Sequence, residues 1–234
     1  MQIQTVHKSC NVFPSLNMLQ ESTNKHFILS IDLGIKNLGY AVIEYTKTGP
    51  KTLDDLTISF GIFNIEEQFK RKIDIVNNRC GAVLKFFTNM LETHGKFDRV
   101  IIERQVNRNT MAMELMYACA MTCKVLCNID MINFDPKDKF LKLGLPYSTT
   151  KKAHKKLSTY MARALISTQW PTMIKHFESH PKKDDISDAL NQALTWMLVN
   201  GFIKYSVNEY VRLLDLRVHL PIGANETNDE ENKQ

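Results

Sequence analysis

Between Phe27 and Ile65 the apolar positions fall in short blocks separated by turn residues. Phe27–Leu33 (FILSIDL) and Gly39–Tyr45 (GYAVIEY) read as strands on either side of a Gly34–Asn37 turn. Leu56–Ile65 reads as a third, so three antiparallel strands follow in sequence. From Glu66 the period lengthens. Phe69, Ile73, Val76, Cys80, Val83, Phe87 and Met90 step by three and four, which predicts an amphipathic helix ending near Gly95. Phe97–Glu103 (FDRVIIE) is a fourth, buried-type strand, Asn109–Cys127 is a helix apolar on most faces, and Ile129–Phe134 is a fifth strand. A loop holding Pro136, Gly144 and Pro146 then leads into a basic helix over Ser148–Ile166. The last clear helix, Lys183–Asn200, buries a stripe of Ile186, Ala189, Leu190, Ala193, Leu194, Met197 and Leu198. The order βββαβαβαα predicts one α/β domain over residues 26–222. It is flanked by an N-terminal arm (1–25) and by an acidic tail (223–234), which without periodicity is expected to be disordered.

Composition changes this picture little. A hydrophobic share of 44% with 24% charged residues fits an ordinary globular protein, and a formal charge of +5 admits a polyanionic partner without requiring one. No apolar run approaches the roughly 18–20 residues of a membrane span. The first 25 residues lack the apolar core of a signal peptide. Cys10, Cys80, Cys119, Cys123 and Cys127 form no CxxC pair and no zinc spacing, and their odd number argues for a reducing compartment. The expectation is an intracellular protein with no membrane partner. Cys119, Cys123 and Cys127 recur every fourth residue and should stack as small buried residues on one helix face.

The chemistry lies in four carboxylates. Asp32 and Glu103 end otherwise apolar strands, where a charge is costly unless it is paired or coordinates a cation. Asp185 and Asp188, three residues apart, share one face of the last helix beside its buried stripe. Taken singly, each acid has an ordinary reading: a strand-end aspartate, first-turn acids at a helix N-terminus, or a glutamate paired with Arg104 or Arg108. Together they supply the oxygen ligands that hard divalent cations need. Two Mg²⁺ ions about 3.5–4 Å apart can activate a water and stabilise the leaving oxygen in phosphodiester cleavage.

Three blocks carry a family resemblance: Ser30–Tyr40 (SIDLGIKNLGY), Ile102–Gln105 (IERQ) with Arg108, and Lys182–Ala189 (KKDDISDA). In order, spacing and element they resemble the signature blocks of RuvC-like Holliday junction resolvases, most closely the branch shared by fungal mitochondrial and poxvirus enzymes. The resemblance implies an RNase H-like mixed five-stranded sheet with helices on both faces. It implies catalytic, metal-binding carboxylates at Asp32, Glu103, Asp185 and Asp188. It also implies two Mg²⁺ ions (or Mn²⁺), a homodimer, and paired symmetric nicks in four-way DNA. The poxvirus likeness points to the host-cell cytoplasm, the fungal one to the mitochondrion.

Charge placement adds candidate DNA contacts. Between Pro136 and Ala164 stand Lys137, Lys139, Lys142, Lys151, Lys152, Lys155, Lys156 and Arg163 against a single acid, Asp138. Lys152, Lys155, Lys156 and Arg163 share a helix side, either a solvated face or a phosphate-binding one. Lys151, Lys36, Arg104, Gln105, Arg108, Lys182 and Lys183 are further DNA candidates near the acids. The Met-rich helix Asn109–Cys127 is either a core helix or a dimer surface. Three rival readings remain. Asp-x-Gly after a first strand also introduces the phosphate loop of actin-like ATPases, but those need two such domains and a longer chain. An RNase H or flap or RNA endonuclease would keep the fold and change the substrate. A branched-DNA-binding protein without catalysis would have no use for all four acids.

Overall fold

The structure, a computed structural model, describes residues 25–46, 48–49, 51–68, 72–105, 109–147 and 150–214. Residues 1–24 of the arm, the acidic tail, Cys10, Phe69 and Arg108 lie outside them.

Strands β1 (Lys25–Leu33), β2 (Asn37–Thr46) and β3 (Thr57–Asn64) form the expected antiparallel meander. The chain then crosses through helix α1 (Lys72–His94) to β4 (Arg99–Glu103), which pairs parallel to β1. A second crossover, α2 (Thr110–Cys127), leads to β5 (Ile132–Phe134), parallel to β4. The five-stranded sheet therefore has the order β3-β2-β1-β4-β5. The remaining α-helices among the described residues are α3 (Asp138–Leu141), α4 (Lys151–Gln169), α5 (Ile174–Ser179), α6 (Lys183–Val199) and α7 (Val207–Leu213). The loop pattern around Pro136 and Gly144 hides α3, and neither α5 nor α7 is marked by a long apolar period.

Strand alternation sorts the core into two layers. Leu29, Ile31 and Leu33 of β1, with Val100 and Ile102 of β4, pack under α1 and α2. Ile28 and Ile101 face the other layer, where α4, α5, α6 and α7 bury Met161, Leu165, Phe177, Leu190, Leu194 and Tyr210. By this parity Asp32 and Glu103, one residue from Ile31 and Ile102, face the α6 side. That side also takes Ser30, whose hydroxyl accepts from Gln192 Nε2 at 3.0 Å.

Two expectations about the first layer need correcting. Cys80 is exposed, whereas Ala82, Val83, Phe86, Phe87 and Met90 are buried. A non-helical backbone at Asn78 (φ −126°, ψ 18°) breaks the helix and shifts the phase of its stripe. Ile129–Met131 also precede β5 rather than belonging to it, because Asn128 ends α2 in the left-handed conformation (φ 55°).

Helix α2 buries one side and exposes the other. Ala112, Leu115, Met116, Cys119, Cys123 and Cys127 are buried, as the four-residue spacing of the cysteines requires. The opposite side leaves Tyr117, Met121 and Val125 at 60%, 66% and 72% exposure. At 18 residues α2 is, against the sequence expectation, long and apolar enough to cross a membrane by length and composition alone. Here its core side packs on α1 and the sheet.

Candidate active site

The site forms at the C-terminal ends of β1 and β4, where these parallel strands point toward the first turn of α6. Gly39 makes that approach close. It pairs with Asp32 across β1 and β2, and a Cβ at this position would lie 2.5 Å from the backbone oxygen of Asp185. No larger residue lets the helix sit so near the strand. Gly34 sharpens the turn after Asp32 in a similar way, since a Cβ there would lie 2.5 Å from the Asn37 oxygen. Two buried amides fix α6 from its other turns: Gln192 to Ser30, and Asn191, whose Nδ2 donates to Ser158 O (2.8 Å) and Oγ (2.9 Å) on α4.

All four sequence-predicted carboxylates are brought together. Burial first, then the charges of Asp188, Glu103 and Asp185, push the Asp32 carboxyl well above its ordinary range, and Lys139 offsets this only in part. Burial and the neighbouring Asp184 raise Asp185 as well. Four acids face one buried cation, an excess of negative charge that a low-dielectric site does not tolerate without a counter-ion.

That buried cation is a residue the sequence reading counted only as a member of the basic run between Pro136 and Ala164. Lys139, on α3, is 4% exposed. Its Nζ donates to Asp188 Oδ1 at 2.6 Å and to Glu103 Oε2 at 3.1 Å. Burial alone would lower its pKa, but Asp188 and Glu103 outweigh it and hold the ammonium charged. Ser158 Oγ adds a second donor to Asp188 Oδ1 at 2.6 Å. Phe140, Leu143 and Leu145 beside Lys139 are all buried, so this short segment is turned inward.

The other candidates distribute as follows. Lys151, Lys152, Lys155 and Lys156 line one open groove on α4 with Thr159, Arg163 and Asp184. Lys155 binds Asp184 directly, and despite burial this pairing lowers the Asp184 pKa. Asp184 is thus the first-turn acid with an ordinary structural partner, leaving Asp185 and Asp188 for the site. Glu103 pairs with Lys139 rather than Arg104, whose Nη2 goes to Asp135 Oδ2 at 2.5 Å. Gln105 Nε2 donates to the Glu103 backbone oxygen at 3.1 Å. Lys36 lies in the turn after Asp32, 3.1 Å from Glu66. Lys182 caps α6 and Lys183 opens it, 3.8 Å from Glu178. Arg108 is outside the described residues.

Among the described residues no three His, Cys, Asp or Glu side chains already close around one point as a metal cage. The donor set nevertheless fits a hard divalent cation. It is all carboxylate oxygen, partly solvent-accessible, and carries more negative charge than Lys139 neutralises.

Residues 26–200 match a protein family described as Poxvirus A22 protein. The fold is similar to that of fowlpox virus resolvase, solved with its substrate Holliday junction DNA (18% identity, TM-score 0.51, 73% of this chain and 96% of that one). It is also similar to the yeast mitochondrial Holliday junction resolvase Ydc2 (20% identity, TM-score 0.51, 79% and 83%). At such identities the likeness is one of fold, and it agrees with the RNase H-like mixed sheet that the sequence blocks implied. No curated protein matches the chain.

Proposed function

Because the chain belongs to the poxvirus A22 protein family, we propose that it is a divalent-metal-dependent endonuclease that resolves four-way DNA junctions by paired symmetric nicks. The observation that carries the reading is the convergence of Asp32, Glu103, Asp185 and Asp188 at one end of the sheet, with Lys139 in their midst. Two solved proteins of similar fold are Holliday junction resolvases. Glu103 stands on a strand rather than a helix, which favours the resolvase branch over RNase H proper.

Asp32, Glu103, Asp185 and Asp188 would hold two Mg²⁺ ions, with Mn²⁺ as a substitute. Such ions, when bound, polarise the scissile phosphate and make a water nucleophilic near neutral pH. The protein's own groups do the positioning. Lys139 and Ser158 fix the rotamer of Asp188, and Lys139 also orients Glu103. Gln192 and Asn191 hold α6, and so Asp185 and Asp188, against β1 and α4. Lys151, Lys152, Lys155 and Lys156, which line the groove on α4, would face the backbone of one junction arm, and Lys36, Arg104, Gln105, Lys182 and Lys183 would contact DNA near the scissile phosphate, with Arg108 kept as a candidate from the sequence alone. Their phosphate contacts position the DNA without reading its sequence.

Symmetric nicking calls for two sites, and the Tyr117, Met121 and Val125 stripe of α2 is the surface on which a second copy would pack. Membership of this family supports the host-cell cytoplasm as the compartment, and the fungal resemblance keeps the mitochondrion as the alternative.

The test is cleavage, with Mg²⁺, of a mobile four-way junction beside linear duplex and an RNA–DNA hybrid. The junction alone should be cut, at symmetric positions. Preferential cutting of the hybrid would move the protein to the RNase H branch.

A further inference from the structure

Outside the carboxylate site, one pair of side chains is placed as a chelate. His176 lies in α5 and His180 is the residue that ends it, four positions on. His180 itself is extended (φ −76°, ψ 131°), so the turn at the helix end brings its ring back to that of His176. Their Nε2 atoms lie 3.3 Å apart, and the rings meet at a centroid distance of 4.6 Å and an angle of 77°. Two imidazole nitrogens, each about 2.0–2.1 Å from a tetrahedral zinc ion, are separated by about 3.3–3.4 Å. The spacing of the pair is that of two ligands sharing one tetrahedral ion.

The rings are held in this relation from behind. Phe60, buried on β3, stacks on His176 (5.3 Å, 25°) and meets His180 edge-on at 6.5 Å. Phe177, between the two histidines in sequence, packs its buried ring against Phe60 at 6.0 Å. The turn itself is fixed by His180 N–H donating to Phe177 O (3.2 Å) and by Ser179 Oγ donating to His176 O (2.7 Å). His176 is exposed and His180 half-buried, so an ion reaches the nitrogens from solvent. The nearest acid in sequence, Glu178, is already engaged by Arg163 and Lys183.

We propose that Nε2 of His176 and Nε2 of His180 form a bidentate site for one divalent transition-metal ion of the Zn²⁺, Ni²⁺ or Cu²⁺ class, with water completing its shell. Imidazole nitrogen selects these ions over Mg²⁺, which demands oxygen ligands. The site is therefore chemically separate from the carboxylates on β1, β4 and α6. The same 3.3 Å contact without a metal is a hydrogen bond between one protonated and one unprotonated nitrogen, and the two accounts differ in what added metal does.

The experiment is titration of the full chain with Cu²⁺ at pH 7.5, read by electron paramagnetic resonance, with excess Mg²⁺ to occupy the oxygen ligands. Wild type, His176→Gln and His180→Gln are compared, each first shown by circular dichroism to be folded. The first equivalent of copper in wild type should show two imidazole nitrogens. Each substitution should remove that signal and weaken zinc binding, measured by calorimetry, by at least the roughly 10–100-fold that even outer metal-site partners are worth. Copper spectra and zinc isotherms unchanged by both substitutions, or no two-nitrogen signal in wild type, would overturn the proposal and leave a hydrogen-bonded pair.

Discussion

Replacing Gly39 with alanine tests whether the close seat of α6 on the sheet makes the site. The added Cβ would stand 2.5 Å from the Asp185 backbone oxygen, 2.6 Å from its carbonyl carbon and 2.8 Å from its Cβ. Ordinary contact begins near 3.4 Å, so strand and helix must part by most of an ångström at this point. No flexible side-chain end can absorb the shift, since the nearest opposing atoms belong to backbone. Overpacking of this kind costs about 1–3 kcal/mol. The displacement falls on the turn that carries Asp185 and Asp188, and a misplacement of roughly 1 Å costs about 100-fold in rate. Junction binding should survive, because Lys151, Lys152 and Lys156 are on α4. The expected result is an unfolding free energy in urea lowered by about 1–3 kcal/mol, cleavage down by about two orders of magnitude, and junction affinity within severalfold of wild type. Gly81→Ala is the control, since a Cβ there meets nothing within 4 Å. Full cleavage by Gly39→Ala at unchanged stability would refute the reasoning.

Three further predictions probe the charges. Asp32 has a raised pKa in the folded state, so the metal-free protein binds a proton more tightly than the unfolded chain. Its stability in chelator should fall as pH rises from about 4 upward through the elevated value; Asp32→Asn should flatten that fall, and parallel urea-midpoint profiles for the two proteins would refute it. Lys139→Met leaves Glu103 and Asp188 without their shared cation. It should cost about 3–5 kcal/mol at pH 7 in chelator, with partial recovery on adding Mg²⁺; a loss under 1 kcal/mol would contradict the role given to Lys139. Replacing Lys152, Lys155 and Lys156 together with alanine should lower junction affinity and flatten its salt dependence by about 0.9 in log–log slope for each phosphate no longer neutralised; an unchanged slope would take α4 out of the interface.

Much of this arrangement was legible in the sequence, and the residues explain why. Apolar runs that carry Asp32 and Glu103 at or next to their C-terminal ends mark buried strands whose acid needs a partner or a cation, and that inference needs no tertiary information. The i, i+3 spacing of Asp185 and Asp188 beside the apolar stripe of Ile186, Ala189, Leu190, Ala193 and Leu194 is equally local, whereas the buried Asn191 and Gln192 beside that stripe were not foreseen. Lys139 was not legible as a buried counter-ion, because nothing within α3 distinguishes it from Lys137 or Lys142; its partners come from β4 and α6. Helix α3 itself has four residues between turn-forming positions, too few for a period to register. Helix α7 carried a readable sign, the Ser206 and Glu209 capping box, without a long stripe behind it. The exposure of Cys80 follows from the irregular backbone at Asn78, which a strict helical count cannot foresee.

The measurement that bears most directly on the central claim is mapped cleavage of a four-way junction by wild type and Asp188→Asn, with and without Mg²⁺. Asp188 is chosen because Lys139 and Ser158 both donate to it, contacts an amide oxygen can still accept, so the fold and the DNA-binding face should survive the change. Wild type should make paired symmetric nicks only when Mg²⁺ is present, and the variant should bind the junction without nicking it. Nicking by Asp188→Asn at the wild-type rate, or wild-type nicking that persists in chelator, would contradict that claim.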